Sequence, residues 1–317
     1  MEQYRVNVSS IQSFYQCRFR WWCTYVMNRV PIATSPALDA GKLLHTIFED
    51  HFNGVSTLEQ AASSRCAAFR ELIPSAHLTA QTSALKAVQT IEDLTEAFPL
   101  WEDKYPITKA LEVEEPFEYT DKVEPWILWM GRPDRVVVIQ NGIYHEQNRG
   151  LAAGTNFGTY TRLQKRSYHE HLYGEYLMKK YCRPWVKKAP AKWTYRGTFF
   201  NLVRKLKFRT YVGKKNETTK TAAEMFYQQP IPLDMTGGLH QAVMLAARQH
   251  VTDMRECERR WREDGVIPAP NEKMNGGFSG NSEDPYFKLL IGEVTLDDNE
   301  VFKDREDMYA SADFTTE

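Results

Sequence analysis

Four side chains that could act on a ligand are predicted to share one face of a β-hairpin. A β-branched run at 135–139 precedes Asn141-Gly142, which is the strongest two-residue signal for a hairpin turn. With the turn at 141–142, Asp134 faces Arg149, and alternate side chains lie on the same face. The shared face then carries an acid, an imidazole, an amide and a cation: Asp134, His145, Gln147 and Arg149. Such a group is typical of a functional site, because a structural sheet face more often carries Thr and Val.

Helices and strands alternate around this hairpin in an order that favours an α/β fold. The predicted elements are helices over 9–30 (capped by Ser9 or Ser10), from near Asp39, and over 56–100 with a break at Pro74, strands over 111–119 and 126–130, a helix over 157–181, strands over 198–203 and 225–233, and a helix over 240–264. They predict a mixed central sheet flanked by helices, with a helical N-terminal cap. We divide the chain into a helical part (1–110), an α/β core (111–264) and a loop-rich acidic tail (265–317), which together form one compact domain.

Positive charge is concentrated in residues 149–222, which we call the basic block. The block holds 18 Lys and Arg against 3 Asp and Glu, a net of +15, whereas the rest of the chain carries −16. Aromatic residues are interleaved with the cations, and base stacking with phosphate neutralisation uses both types. The block therefore predicts binding of a polyanion, with DNA favoured, and a solvated basic face is the alternative. The cations expected at phosphates are Arg162, Lys165, Arg166, Arg204, Lys205, Lys207, Arg209, Lys214 and Lys215.

The remaining composition favours a cytoplasmic protein. No stretch approaches the roughly 20 apolar residues of a membrane span, and the N-terminus lacks the apolar region of a signal peptide. The five cysteines are scattered and never at C-x-x-C spacing, which favours free thiols in a reducing compartment.

The hairpin and four further stretches resemble the PD-(D/E)xK nuclease superfamily, and within it the RecB/AddB-type exonuclease branch that includes the CRISPR-adaptation nucleases. The hairpin begins with Gly131-Arg132-Pro133-Asp134-Arg135-Val136-Val137. The other stretches are Ser10 to Trp21 (an opening-helix pattern with Cys17), Gly41-x-x-x-His45 (a histidine motif), Gln164-x-x-x-Tyr168 (a Q-x-x-x-Y motif) and Pro270 to Glu293 (a late segment). The resemblance covers about Ser9 to Glu293. His169-x-x-x-Tyr173 has the same spacing as Gln164-x-x-x-Tyr168 and is the alternative to it.

The resemblance implies a site for one or two Mg²⁺ or Mn²⁺ ions in which the (D/E)xK motif is altered. His45 and Asp134 match a metal-binding histidine and the first acid. Gln147 then stands at the second acid and Arg149 at the lysine, although a β-bulge would place Glu146 and Asn148 there instead. In the first frame, glutamine replaces the acid, and arginine, which stays protonated, replaces the lysine. The second frame keeps the acid and loses the cation, so neither is complete.

The iron–sulfur cluster that this branch often carries is not expected here. Cys17 stands where the early ligand would be, but the late segment contains no cysteine. We therefore expect Cys17 to be a packed core thiol.

Three functions remain open from the sequence. The first is a DNA-binding protein with an altered nuclease site and weak or no cleavage, acting on single-stranded ends or junctions in replication, recombination or phage–host DNA processing. The second is an active Mg²⁺- or Mn²⁺-dependent exonuclease. The third is a non-catalytic subunit that binds a protein partner through acidic segments at 100–125 and 283–307.

Overall fold

The structure is a computed structural model that describes residues 3–32, 36–73, 78–95, 97–98, 105, 107–152, 155–182, 193–205, 225–270 and 284–305. The chain forms two compact units, each assembled from segments that are distant in sequence. Unit 1 contains residues 1–33, 116–131 and 241–317, and unit 2 contains residues 34–115 and 132–240. The division at residues 110 and 264 drawn from the sequence cuts the chain elsewhere and remains a prediction.

The helices and strands follow one another along the chain in a mixed order. They are β1 (Tyr4–Asn7), α1 (Val8–Gln16), α2 (Arg18–Trp21), a π-helical segment (Trp22–Val26), β2 (Arg29–Pro31), α3 (Pro36–Phe52), α4 (Leu58–Leu72), α5 (Leu78–Thr95), β3 (Lys109–Val113), β4 (Phe117–Thr120), β5 (Ile127–Gly131), β6 (Arg135–Ile139), β7 (Gly142–Ala152), α6 (Phe157–Gln164), α7 (Tyr168–Tyr181), β8 (Thr194–Lys205), β9 (Phe226–Pro232), α8 (Gly238–Asp264), α9 (Pro285–Leu290) and β10 (Phe302–Asp304). Across the described segments, no helix has both the length and the apolar character of a bilayer span.

Unit 1 contains two small sheets with helices between their strands in sequence. Strand β5 lies between β1, to which it is parallel, and β4, to which it is antiparallel, while β2 pairs with β10. The aromatic core includes Phe14 and Trp21, whose rings meet edge to face at 5.0 Å. The buried Asp121 carboxylate accepts a hydrogen bond from Trp129 Nε1 at 2.7 Å and pairs with Arg248, which satisfies a charge that would otherwise be costly in the interior.

The first predicted helix, over 9–30, is wrong in its bounds. Helix α1 begins at Val8, and the side chain of Asn7, rather than Ser9 or Ser10, caps it by accepting a hydrogen bond from Ser10 N at 2.8 Å. The backbone is extended at Cys17, so the helix stops one residue earlier. Strands β1 and β2 also interrupt the predicted helical part.

Unit 2 is built on a five-stranded sheet in the order β3-β6-β7-β8-β9. Strands β7 and β8 are parallel, and α6 and α7 lie between them in sequence, whereas the other neighbouring pairs are antiparallel. All five side chains of β6 are buried, the four β-branched ones together with Arg135. Strand β7 therefore lies at the centre of the sheet, with a partner on each side.

Helices cover both faces of this sheet. On one face, Val203 and Phe226 belong to a hydrophobic cluster that is supplied mainly by α3, α4, α5 and the residues directly after α4 and α5. On the other face, Phe157 of α6 packs with Phe200 and Leu202 of β8. The predicted class, a mixed α/β fold with a central sheet flanked by helices, is confirmed.

Two other predicted elements are divided in the structure. The strand over 111–119 becomes β3 and β4, because Glu114 adopts a left-handed φ of 51° and Pro116 follows shortly after. The helix over 157–181 becomes α6 and α7, since the Ser167 side chain accepts a hydrogen bond from His169 N and starts a new helix. The tail from residue 265 also contains α9 and β10.

Candidate metal centre at the strand ends

The hairpin between β6 and β7 has a register that differs by two residues from the predicted one. Arg135 pairs with Glu146 and Ile139 with Gly142, so the turn is Gln140-Asn141, with φ values of 48° and 64°. Positive φ at both central residues is the type I′ pattern. Gly142 instead begins β7, where a Cβ atom would lie 2.5 Å from Arg196 Cγ. The predicted turn at 141–142 is wrong, but the shift is even, so every side chain keeps its predicted face.

The two alternative (D/E)xK frames lie on opposite faces of the sheet. The Arg135 guanidinium stacks 3.6 Å from the ring centroid of Phe52 in α3, and its Nε pairs with Glu146 Oε2 at 2.6 Å. Glu146 and Asn148 therefore face the α3 side. Gln147 lies on the other face, with its Nε2 atom 2.8 Å from His169 Nδ1 of α7. Arg149 follows Gln147 on that side by alternation, and it is exposed.

Three potential metal ligands converge where β3 ends and β6 begins. His45 Nδ1, on α3, lies 3.6 Å from Glu114 Oε1 and 3.8 Å from Asp134 Oδ1. One ligand atom from each of the three residues lies within 4.8 Å of the others. The backbone aligns the two acids, because Glu114 N donates a hydrogen bond to Asp134 O at 3.1 Å. We call His45, Glu114 and Asp134 the strand-end centre.

Glu114 is the member of the strand-end centre that the sequence analysis missed. The available signal was an acid on an alternating strand, in the run Glu112-Val113-Glu114-Glu115-Pro116. The proline marks where the strand must stop, and strand ends are where ligands are bound in many α/β proteins. Three of these five residues are glutamates, so the pattern alone did not single out Glu114.

Neighbouring groups balance the charge of the two carboxylates. Arg132 Nε pairs with Glu114 Oε2 at 2.8 Å, and Asn148 N donates to Asp134 Oδ2 at 2.7 Å. Arg149 is exposed at the surface but crowded by neighbouring protein atoms, which oppose its charge; attraction to the Asp134 carboxylate and to nearby tyrosines outweighs this and raises the pKa of its guanidinium. These contacts hold the two carboxylates in fixed positions.

The same charges act on the titration of the centre. The Asp134 carboxylate raises the pKa of His45, against the opposing effect of burial, and Glu114 adds to the rise. Burial raises the pKa of Glu114. A cation at the centre must therefore compete with a proton on His45.

The donor set fits a divalent cation. Two carboxylates and one imidazole are ligands that Mg²⁺ or Mn²⁺ accepts, with oxygen preferred. The separations of 3.6 and 3.8 Å between donor atoms suit ligands that each lie about 2.0–2.2 Å from one ion. The family-implied cofactor is thus compatible with these residues.

The (D/E)xK positions contribute differently to the surroundings of the strand-end centre. Glu146 is fully buried and its carboxylate is paired with Arg135, and it is not among the three mutually close ligands. Asn148 Oδ1 accepts from Asn201 Nδ2 at 2.9 Å, and Asn201 Oδ1 lies 3.4 Å from Gln228 Nε2, which forms a row of buried amides across β7, β8 and β9. In neither frame does a lysine stand at the third position.

Gln164 and Tyr168 do not lie on one helix, contrary to the sequence analysis. Gln164 ends α6, and Tyr168 begins α7. The alternative pair lies within α7, where the His169 and Tyr173 rings have centroids 3.9 Å apart. Tyr173 OH donates to Arg132 O and accepts from Arg132 N, each at 3.0 Å. This hydroxyl therefore fixes the backbone two residues before Asp134.

Only some of the cations predicted to contact phosphates are among the described residues. Arg162 and Arg166 are exposed near the end of α6, and Lys165 is half-buried. The Arg204 guanidinium lies 4.5 Å from the Phe157 ring centroid, and Lys205 ends β8. The other cations lie outside the described residues: Lys207, Arg209, Lys214 and Lys215. Their contact with nucleic acid remains a prediction.

Cys17 is buried, and its thiol accepts a hydrogen bond from Arg20 N at 3.5 Å. It thereby caps α2 within the core of unit 1. Most of the late segment that resembles a cluster-binding tail, residues 271–283, lies outside the described residues.

Unit 2 thus combines a mixed sheet flanked by helices with two acids and a helix-borne histidine at its strand ends. Residues 5–146 match the family model of the PD-(D/E)XK nuclease superfamily. The matched range includes all of the strand-end centre and stops at Glu146. A search of curated proteins found no match. The match supports a nuclease-type function on nucleic acid at the level of the superfamily.

Proposed function

We propose that this protein binds DNA through a RecB-type PD-(D/E)xK fold, holds a divalent cation at the strand-end centre, and cleaves DNA weakly or not at all. The observation that carries this proposal is the contrast within one site. His45, Glu114 and Asp134 are close enough to share an ion, whereas an asparagine or an arginine stands where the lysine of the motif would be.

The retained residues would bind and orient an ion together with a phosphate. His45, Glu114 and Asp134 would be the ligands, and Asn148 N fixes the Asp134 carboxylate through its 2.7 Å hydrogen bond. A bound Mg²⁺ or Mn²⁺ polarises a phosphate and lowers the pKa of a bound water. Arg149 beside Asp134 would attract the phosphate as a fixed cation.

The missing lysine is the reason to expect weak cleavage. In this superfamily the lysine stabilises developing charge or positions the attacking water, as the resemblance implies. Asn148 is neutral, and its side chain is engaged by Asn201. Arg149 lies on the opposite face from Glu146. The frame with the acid Glu146 therefore lacks a cation, and the frame with the cation Arg149 lacks an acid. A loss of one such charge-stabilising group commonly costs a factor of about 10² to 10³ in rate.

The basic block would supply the affinity for DNA, with single-stranded ends or junctions as the favoured forms. Exposed Arg162 and Arg166 are its best-placed described members. Cations that neutralise phosphates make binding strongly dependent on salt. The protein would then serve in replication, recombination or phage–host DNA processing, alone or with a protein partner.

The first experiment measures cleavage of labelled single-stranded DNA with Mg²⁺ or Mn²⁺. The natural protein should cleave at least about 100-fold more slowly than Asn148→Lys, which completes the frame on the α3 face. The double variant Gln147→Glu/Arg149→Lys completes the other frame, on the face that Asp134 shares, and cleavage gained there instead would assign the motif to that frame. Asp134→Ala in the Asn148→Lys background should remove the gained activity.

Two outcomes would contradict the proposal. Efficient cleavage by the natural protein that disappears in Asp134→Ala would establish the active exonuclease instead, for which the retained acid Glu146 is the supporting observation. Affinity for DNA that stays constant between about 50 and 200 mM salt would remove the basic block as the binding surface, because phosphate contacts predict a steep decline.

A further inference from the structure

A second group of possible metal ligands lies inside unit 2, on the face of the sheet that α7 covers. Its members are His145 of β7 and the pair His169 and Glu170 in the first turn of α7. His145 and Glu170 are buried to 1% exposure or less, and the His169 side chain is 16% exposed. We call these three residues the inner cluster.

The inner cluster joins the central strand to a helix through close polar contacts. His145 Nε2 lies 3.0 Å from Glu170 Oε2, and His169 Nδ1 lies 3.7 Å from Glu170 Oε1. The ligand atoms of the three residues all lie within 4.8 Å of one another. Thr198 Oγ1 donates to Glu170 Oε2 from the neighbouring strand β8 and holds the carboxylate in place.

Two buried polar atoms in or beside the inner cluster have no hydrogen-bond partner in the described structure. They are His145 Nε2 and Gln147 Oε1, and neither residue is more than 1% exposed. His145 Nε2 lies in ion-pair contact with Glu170 Oε2 at 3.0 Å, without the angles of a regular hydrogen bond, so Gln147 Oε1 is the atom with no polar contact. Two ligands about 2.0–2.1 Å from one ion and 3.0 Å apart subtend an angle of roughly 95° at the ion.

Gln147 could supply the fourth ligand. Its amide nitrogen now lies 2.8 Å from His169 Nδ1 and donates to Glu170 Oε1, while its oxygen is unpartnered. Rotation of the amide by half a turn places the oxygen where the nitrogen now lies, beside both ligands. The two orientations of a glutamine amide are nearly the same in shape.

We propose that the inner cluster is a buried structural site for a transition-metal cation of the Zn²⁺, Co²⁺ or Ni²⁺ class, distinct from the strand-end centre. Two imidazoles with one carboxylate favour these ions over Mg²⁺, which prefers oxygen alone. The cation ties β7 to α7, and its enclosed position makes it a structural rather than a catalytic ion. The proposal does not depend on DNA cleavage or DNA binding.

The test uses the full chain, stripped with a chelator and titrated with Co²⁺ and Zn²⁺. The natural protein should take up one tight equivalent, with at least about 100-fold higher affinity than the strand-end centre. The Co²⁺ form should show visible absorption of a four-coordinate site, and Zn²⁺ should raise Tm by roughly 5–10 °C. Asp134→Asn, which alters the other centre, should keep all three results, whereas Glu170→Gln and His169→Gln should lose them.

His171→Gln is the matched control, because His171 is on the same helix but contacts His240 and the Lys165 carbonyl. It should retain the tight equivalent. Absence of a tight equivalent in the natural protein would overturn the proposal and leave a hydrogen-bonded ion pair of His145 and Glu170. Loss of the equivalent in Asp134→Asn would assign it to the strand-end centre. If Glu170→Gln does not fold, the comparison of the natural protein with Asp134→Asn still decides between these outcomes.

Discussion

We expect the ion pair between Arg135 and Glu146 to contribute strongly to the stability of unit 2, with the effects of the two residues coupled to each other. The two side chains are 8% and 0% exposed and lie 2.6 Å apart across β6 and β7. Removing one partner leaves the other charge buried without compensation, which costs about 3–5 kcal/mol. Arg135→Met also loses the stacking on Phe52, worth about 1–2 kcal/mol. For a unit of this size, each single variant should lower Tm by roughly 6–20 °C.

Replacing both partners separates the charge effect from packing. Arg135→Met/Glu146→Leu removes both charges, so most of the loss should be recovered and the double-mutant cycle should give a coupling energy of about 2–4 kcal/mol. Urea and thermal unfolding measure the four proteins of the cycle. The control is Arg259→Met in α8, because Arg259 and its partner Glu263 are 49% and 58% exposed.

An exposed pair contributes little, so Arg259→Met should cost at most about 0.5 kcal/mol. The reasoning fails if Arg135→Met is as mild as this control, or if the losses from the two single variants simply add. Either result would mean that water reaches the pair and screens its charge.

Three other perturbations test separate features. His45 has a raised pKa, so its charge stabilises the folded state below about pH 6.5, and this contribution is lost as pH rises through the folded pKa. In metal-free protein, Asp134→Asn should therefore lower the urea midpoint of unfolding more at pH 6 than at pH 9. An equal loss at the two pH values would contradict this coupling between Asp134 and His45. Asn201→Leu breaks the row of buried amides and should cost about 2 kcal/mol in urea unfolding, whereas no loss would show that the amides are hydrated. Gly197 has a φ of 144°, and a Cβ there would lie 2.1 Å from a carbonyl oxygen of β9; Gly197→Ala should cost about 3 kcal/mol or more in thermal unfolding, and Gly238→Ala, with open space around it, should cost far less.

The faces of the hairpin could be predicted from the sequence, but its register could not. Alternation places Glu146 and Gln147 on opposite sides whichever turn is used, so the faces survive a shift of two residues. The position of the turn depends on whether Gly142 is a turn residue or the first residue of β7, where it packs closely against β8. That choice is made by the close approach of Arg196 from a strand about 50 residues later, which no local pattern contains.

Contacts between distant residues also explain what was missed at the two candidate sites. The role of Glu114 could not be predicted from local sequence, because it is the pairing of β3 with β6 that places Glu114 beside Asp134. The break between α6 and α7 depends instead on a local signal, the Ser167 cap, which was present in the sequence but weaker than the helical periodicity around it. His45 and Asp134 were found because motif spacing singled them out, and the structure places them 3.8 Å apart. Their role as metal ligands remains a proposal.

The interleaving of the two units has a consequence for synthesis on the ribosome. Unit 2 ends at residue 240, so all of its strands have been made before the last segment of unit 1, residues 241–317, is translated. Strand β2 must wait for β10, whose Phe302 pairs with Pro31 about 270 residues later. Unit 2 can therefore begin to fold while the nascent chain still lacks the final part of unit 1. A stalled or truncated product near residue 240 would carry a finished sheet beside an unfinished unit with exposed apolar segments, the kind of intermediate on which chaperones act.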